Sequence, residues 1–238
     1  MNEGLKFGYG LFETILYEHN ELKHFDKHMN RLKRSLKVFH MASINEADIK
    51  DNALKELRTT NDNAIRISCY KDGLKLLITY ETRLSQKKEY YNIAVSSIKR
   101  YSDDILLQHK SSCHLNYFLE KKSLIESDYD EAIHFNENGH LTEGIYTNLF
   151  FVKNNELFTP DISCGLLPGI SRDNVIEQAK LLGIPVNIGY YSNEVIQSAD
   201  EVFLTNALIN IVPVKSVETQ VFNLEKNTVT QLLMKEML

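Results

Sequence analysis

Gln108-His109-Lys110-Ser111-Ser112, Thr142-Glu143-Gly144-Ile145-Tyr146-Thr147-Asn148-Leu149-Phe150 and Leu167-Pro168-Gly169-Ile170-Ser171-Arg172 mark one stretch of this chain, residues 108–172. Lys110 stands in a polar cluster. It is either a solvated surface lysine or an amine nucleophile whose pKa is lowered by burial or a neighbouring cation. Glu143 lies among apolar and small residues, so its carboxylate either meets water at a strand end or is buried against a cation. Asn148 reads as the residue that fixes the turn beside it. Gly169-Ile170-Ser171 opens a helix whose first amides and dipole can hold a phosphate, with the Ser171 hydroxyl as a further donor. The plainer reading makes Ser171 an N-cap.

Working outward, 7–16 reads as a glycine-rich bend running into a strand. Phe25, Met29, Leu32, Leu36 and Phe39 fall at helical spacing, with Asp26 placed to cap the start and His28, Arg31 and Arg34 off the apolar stripe. Arg31, on that polar side, is a candidate phosphate clamp. A second helix is expected over 45–57, with Ile49, Ala53, Leu54 and Leu57 inward. Strands follow at 64–70 and 74–82, joined by a hairpin at Lys71-Asp72-Gly73, and another at 91–98. Beyond a polar connector come a helix at 115–127 and a strand at 131–135. A long strand is expected over 141–152, then one at 156–158. A helix at 171–182 is stopped by Gly183 and Pro185. Strands near 186–190, 201–205 and 211–217, a short helix at 193–198 and a last helix carrying Val229, Leu232, Leu233 and Leu238 complete the chain. Thr205-Asn206, at a strand's carboxyl end, offers a second donor pair.

The expected architecture is α+β / α/β in two lobes. A smaller N-terminal α/β lobe spans 1–101, a connector 102–109, and a larger C-terminal α/β lobe 110–238. A ligand cleft is expected between the lobes.

The 238 residues allow an ample core. Lys and Arg number 27 against 32 Asp and Glu, a net charge of −5 with no basic stripe, which argues against nucleic-acid binding. Cys69, Cys113 and Cys164 are odd in number and widely spaced, as expected of reduced thiols in a cytoplasmic protein without a metal site. No apolar run approaches the ~18–20 residues of a membrane span. Met1-Asn2-Glu3-Gly4 shows no secretory leader.

A lysine to form a Schiff base, a carboxylate for a pyridinium nitrogen and a helix start for a phosphate are together what pyridoxal 5'-phosphate requires. In this order, and with Gly8-Tyr9-Gly10-Leu11-Phe12-Glu13 and His28-Met29-Asn30-Arg31-Leu32 upstream, the chain resembles the fold-type IV pyridoxal phosphate enzymes. That group includes branched-chain and D-amino-acid aminotransferases and aminodeoxychorismate lyases. The resemblance covers nearly the whole chain. It implies a two-lobe fold of the D-amino-acid aminotransferase type, with a shortened N-terminal lobe because the first motif falls almost at the start. It implies that Lys110 is the catalytic Schiff-base lysine and Glu143 the pyridinium partner. Arg31, Ser171 and Thr205 would contact the phosphate with the Ile170 amide, and Asn148, Gly169 and Asn206 would complete the cofactor set.

Lys110-Ser111-Ser112-Cys113-His114-Leu115-Asn116 and the run from Thr205-Asn206 to Pro213 resemble the lyase branch. Phe12 stands where D-amino-acid transaminases carry tyrosine. The reaction so implied eliminates pyruvate from 4-amino-4-deoxychorismate to give 4-aminobenzoate for folate biosynthesis. Phe12, Arg66, Lys71 and Arg100 are candidates for meeting the substrate, the three cations through its carboxylates. The family also implies a homodimer. An aminotransferase of the same fold, or a non-catalytic relative, remains the alternative.

Overall fold

In the computed structural model, residues 3–237 are described; Met1, Asn2 and Leu238, the last expected on the final apolar stripe, lie outside them. The chain forms two compact units, Met1–Gln86 with His109–Leu115, and Lys87–Gln108 with Asn116–Leu238. The boundary therefore differs from the expected 101/102–109/110. The strand after residue 90 pairs inside the second unit, while the lysine segment hydrogen-bonds inside the first.

The first unit begins with helix α1 (Glu3–Phe7) and strands β1 (Gly10–Glu18) and β2 (Glu21–Leu22). Helices α2 (Phe25–Val38) and α3 (Glu46–Leu57) precede the hairpin β3 (Ala64–Asp72) and β4 (Lys75–Arg83). The strands form an antiparallel sheet ordered β2-β1-β3-β4. Alternation along β1 and β3 gives the sheet two chemically different faces. Leu11, Glu13, Ile15, Ile65, Ile67 and Cys69 face the helices, where Phe25, Met29, Leu32, Leu36, Ile49, Ala53 and Leu57 close the core. Phe12, Thr14, Arg66 and Ser68 lie on the other face.

Two details of α2 depart from expectation. His24, in left-handed backbone at φ 54°, occupies the N-cap without a side-chain hydrogen bond, and Asp26 sits inside the first turn. His28 and Arg31 are buried, because Glu13 draws them inward. In α3, Leu54 is only half-buried, and Asn45 supplies the cap by accepting from the Ala47 amide at 3.1 Å. The β3–β4 turn tightens to Gly73-Leu74, with Gly73 at φ 61°. Because β2 pairs only at the far end of β1, the edge near Leu11 is open. Residues 110–112 fill it: Phe12 N–H donates to the Lys110 carbonyl at 2.9 Å and Ser112 N–H to the Gly10 carbonyl at 2.8 Å.

The second unit contains β5 (Tyr91–Val95), a 3-10 turn Ile105–Gln108, α4 (Leu115–Ser123), running on from Leu115 of the first unit into a 3-10 turn, and β6 (Glu131–Phe135). The expected strand 141–152 is broken into β7 (Leu141–Gly144) and β8 (Asn148–Lys153). The Gly144 amide closes on the Thr147 carbonyl at 2.7 Å, a reversal that glycine permits: a Cβ there would stand 2.2 Å from the Thr147 hydroxyl. Next come β9 (Glu156–Pro160), α5 (Ile170–Leu181), β10 (Val186–Gly189), α6 (Glu194–Gln197), β11 (Glu201–Asn206), β12 (Asn210–Val217), β13 (Gln220–Val221) and α7 (Thr228–Glu236).

The sheet order is β10-β9-β8-β11-β12-β5-β6-β7, with β13 beside β12. Alternate residues of β8 and β11 serve two cores. Phe150 stacks on Phe203 at 5.0 Å beneath α5 and α7, whereas Leu149, Phe151, Val202 and Leu204 join Ile93 and Ile133. On α7, Val229 and Leu233 are buried, but Leu232 is exposed. No helix among the described residues is long and apolar enough to cross a membrane.

Candidate active site

In the first unit, Phe12 is the centre of a cation cluster. The Arg66 guanidinium lies 3.6 Å from its ring centroid and the Lys110 ammonium 4.6 Å. The His114 ring packs against it at 5.2 Å. Lys110 is therefore half-buried against an aromatic face, not a solvated surface lysine. Burial, then Arg66, then Lys110 hold the His114 imidazole below its ordinary pKa, while the Ser111 and Ser112 backbones pull it up. Its Nδ1 meets the Ser111 carbonyl at 3.1 Å. His114 thus belongs beside the lysine, although the sequence reading passed over it; its spacing four residues from Lys110 was the available signal. Lys71 is set over the Tyr9 ring at 4.9 Å.

Arg31 belongs to the opposite face of the same sheet. Its Nε and Nη2 bind the two oxygens of Glu13 at 2.8 and 2.6 Å, and His28 Nδ1 meets Glu13 Oε2 at 2.7 Å. Burial pushes the Glu13 carboxyl up, but the charge and hydrogen bond of Arg31 and the His28 contact outweigh it and bring the pKa down to about 2. Glu13 and His28 were both missed as site-building residues. The signal was an acid placed on the core face of an otherwise apolar alternation.

The second unit gathers Glu143, Asn148, Gly169, Ile170, Ser171, Thr205 and Asn206 around the β7–β8 break and the start of α5. Glu143 is buried, so the solvated strand-end reading does not hold. Oε1 accepts from Arg100 Nη1, and Oε2 accepts from Asn148 Nδ2 at 2.9 Å. Arg100, expected among the substrate cations, is itself buried: its second terminal nitrogen donates to the Gly144 carbonyl at 2.9 Å, and its plane lies 4.8 Å from the Tyr117 ring. This corrects the expectation: the Arg100 guanidinium is the ion-pair partner that a buried acid in an apolar setting demands.

Asn148 also donates to the Leu167 carbonyl at 2.9 Å, tying the break to the segment before α5. The N-cap of α5 is Gly169, which brings no side-chain cap, and Ser171 lies inside the first turn. The amides at this helix start point off it without a capping group. Thr205 is buried, and its hydroxyl donates to the Asn210 carbonyl across the β11–β12 turn. Asn206 closes a turn, accepting from the Leu208 and Ile209 amides at 2.9 and 3.1 Å and donating to the Tyr146 carbonyl at 3.3 Å.

These groups fit a cationic pyridine ring with a phosphate tail. Burial raises the pKa of Glu143 despite the opposing charge of Arg100, the Leu167 backbone and the Arg100 hydrogen bond. A second N–H cation on that carboxylate would relieve the remaining desolvation cost. The uncapped start of α5 fits a dianion. Gly169 leaves room there, since a Cβ would stand 1.9 Å from Asn148 Oδ1.

Residues 10–217 match the amino-transferase class IV family. The aminodeoxychorismate lyase of Bacillus subtilis is 29% identical, with 98% of this chain and 85% of that protein covered. A probable branched-chain-amino-acid aminotransferase of Thermotoga maritima is 30% identical over 88% of this chain and 78% of its own. Among solved structures, the branched-chain amino acid aminotransferase from Escherichia coli superposes with a TM-score of 0.89 at 27% identity, covering all of this chain and 86% of that one.

Proposed function

Because the chain belongs to the amino-transferase class IV family, whose fold-type IV members depend on pyridoxal phosphate, we propose that it is a 4-amino-4-deoxychorismate lyase. It would release pyruvate and 4-aminobenzoate, the latter a folate precursor. The observation that carries this reading is the Phe12 platform, where an aromatic face, the Arg66 guanidinium and the Lys110 amine come together. A flat unsaturated ring bearing a carboxylate matches that set, the ring on Phe12 and the carboxylate on Arg66. The similarity to the Bacillus subtilis lyase along 98% of the chain supports the same choice.

Pyridoxal phosphate, when bound, supplies an electron sink that acidifies the carbon bearing the substrate amine. Lys110 would hold the cofactor through its Nζ and, once displaced by the substrate amine, would be the base positioned to take the proton from that carbon. Glu143 would receive the pyridine N–H, and Arg100 and Asn148 hold its two oxygens in place. The α5 amides and Ser171 would take the phosphate. His114, kept below its ordinary pKa, is neutral near pH 7 and adds no charge to the platform. The product ring is aromatic, so no amino acceptor is needed.

Aminotransferase activity is the second reading, favoured by the similarity to the Thermotoga maritima protein. The two separate on one assay: pyruvate formed from 4-amino-4-deoxychorismate without any keto acid supports the lyase, and turnover that requires a keto-acid acceptor sinks it. The cofactor assignment is tested by absorbance. The protein mixed with pyridoxal phosphate is expected to show a band near ~400–430 nm, fixed to the chain by borohydride in wild type but not in Lys110→Ala. The proposed enzyme is a cytoplasmic homodimer. Light scattering should give twice the 27.5 kDa chain mass; a single-chain mass would remove the dimer.

A further inference from the structure

Behind Glu143 in the second unit lies a polar chain with no part in the chemistry above. His134 has no exposed side-chain surface. Its Nδ1 stands 3.3 Å from the Glu143 carbonyl and its Nε2 2.8 Å from Glu120 Oε2. The other Glu120 oxygen accepts from Ser96 Oγ. The His134 carbonyl accepts from Thr142 Oγ1 at 3.1 Å, locking the strand pair on which Glu143 rides. Tyr117 fills the space between, its ring 6.4 Å from His134 edge-on and 4.8 Å from Arg100.

The proton count in this chain is constrained by chemistry. A carbonyl oxygen only accepts, so Nδ1 must carry a hydrogen. A neutral imidazole then has a bare Nε2, which would repel a carboxylate oxygen, so Glu120 and His134 must share one further proton. Wherever that shared proton sits, the ring keeps its hydrogen on Nδ1.

We propose that His134, held by Glu120, is a positioning residue: it fixes the Glu143 main chain and so sets the direction in which the Glu143 carboxylate meets the cofactor. The inference rests on Glu143 being the pyridine partner. The effect is one of orientation, in the way that outer hydrogen-bond partners fix groups that touch a cofactor.

The test compares Glu120→Ala, Glu120→Gln and Ser96→Ala by two readouts. Nitrogen-15 NMR of the histidine rings, recorded without cofactor, reports which nitrogen of His134 is protonated. Absorbance titration with pyridoxal phosphate reports affinity. Wild type is expected to show Nδ1 protonated. Glu120→Ala should lose the proton shared at Nε2, keep Nδ1 protonated, and bind pyridoxal phosphate about tenfold more weakly. Glu120→Gln, whose amide can donate to a bare Nε2, should keep the Nδ1–H form and recover most of the affinity, which a merely space-filling residue would not explain. Ser96→Ala should weaken binding by two- to threefold.

Unchanged affinity in Glu120→Ala, with circular dichroism showing it folded, would overturn the inference while leaving the cofactor reading intact. So would equal loss in Ala and Gln. A wild-type protein that takes up no pyridoxal phosphate would overturn the cofactor reading and, with it, this role for His134.

Discussion

Without the Arg100 guanidinium, Glu143 Oε1 would be left buried with no bonded cation, and the Asn148 amide and the Leu167 backbone would remain on the carboxylate. Breaking a buried pair from one side typically costs about 3–5 kcal/mol, whereas replacing both members by apolar side chains is often near neutral. Arg100→Met is therefore expected to lose about 3–5 kcal/mol in urea unfolding at pH 7, and Arg100→Met with Glu143→Leu to recover most of it. A loss under about 1 kcal/mol in the single variant would show that the pair does not carry this load. The contrast with Lys110 explains what the sequence could reveal. The order of the motifs picked out Lys110, Glu143 and Gly169 as candidates. Arg100 was legible as a cation but not as to its partner, which lies 43 residues away. Glu13 was marked only by its place on the core face of an apolar alternation, and its partners His28 and Arg31, off the apolar stripe of α2, lie 15 and 18 residues away.

At the scale of elements, the site depends on two places where regular structure stops, the β7–β8 break and the start of α5. They are joined by Asn148, and Gly169 leaves just enough room for it. A methyl group at 169 would meet Asn148 Oδ1 at 1.9 Å, a separation that forces Asn148 off both Glu143 and Leu167. Gly169→Ala is thus expected to cost about 1–3 kcal/mol and to weaken pyridoxal phosphate binding in the same titration. Unaltered thermal melting together with unaltered affinity would contradict this account. The helices and most strands were readable from periodicity, since α2, α3 and α5 each bury one apolar stripe. The break was not, because Ile145 and Leu149 continue the apolar character of the run across it. What interrupts the strand is a glycine at 144 that allows the chain to fold back on Thr147, a backbone effect invisible to hydropathy. Likewise the 99–109 segment looked like a linker, yet Arg100 and Leu107 are buried in the second unit.

Over the whole molecule, the shifted carboxylates are divided unevenly between the two units, and this sets the response to acid. In the first unit the one shifted acid described is Glu13, faced by Arg31 and His28 from α2 and by Cys69 from β3, and lowered to about 2. Its folded pKa is below its unfolded one. The stabilisation, about 3 kcal/mol from a fall of 4.5 to about 2, is therefore complete above pH ~4.5 and is lost as pH falls towards 2. In the second unit Glu120 is lowered, against burial, through His134 and Ser96, and the surface acids Glu137, Asp161 and Glu194 are lowered by serine hydrogen bonds, but the buried Glu131 and Glu143 are raised by burial against their lysine and arginine partners. A raised carboxylate opposes folding at neutral pH, and that opposition is relieved on acidification. Acid should consequently weaken the first unit before the second. Urea unfolding at pH 7, 4.5 and 3, followed by deuterium pulse labelling at one fixed pH, would read the peptides of each unit separately. By pH 3 the first unit is expected to have lost about 2 kcal/mol relative to pH 7, and Glu13→Gln, less stable at neutral pH, should lack that dependence. Equal acid loss in both units, or a Glu13→Gln protein that keeps the wild-type slope, would refute the assignment of the acid response to this one buried pair.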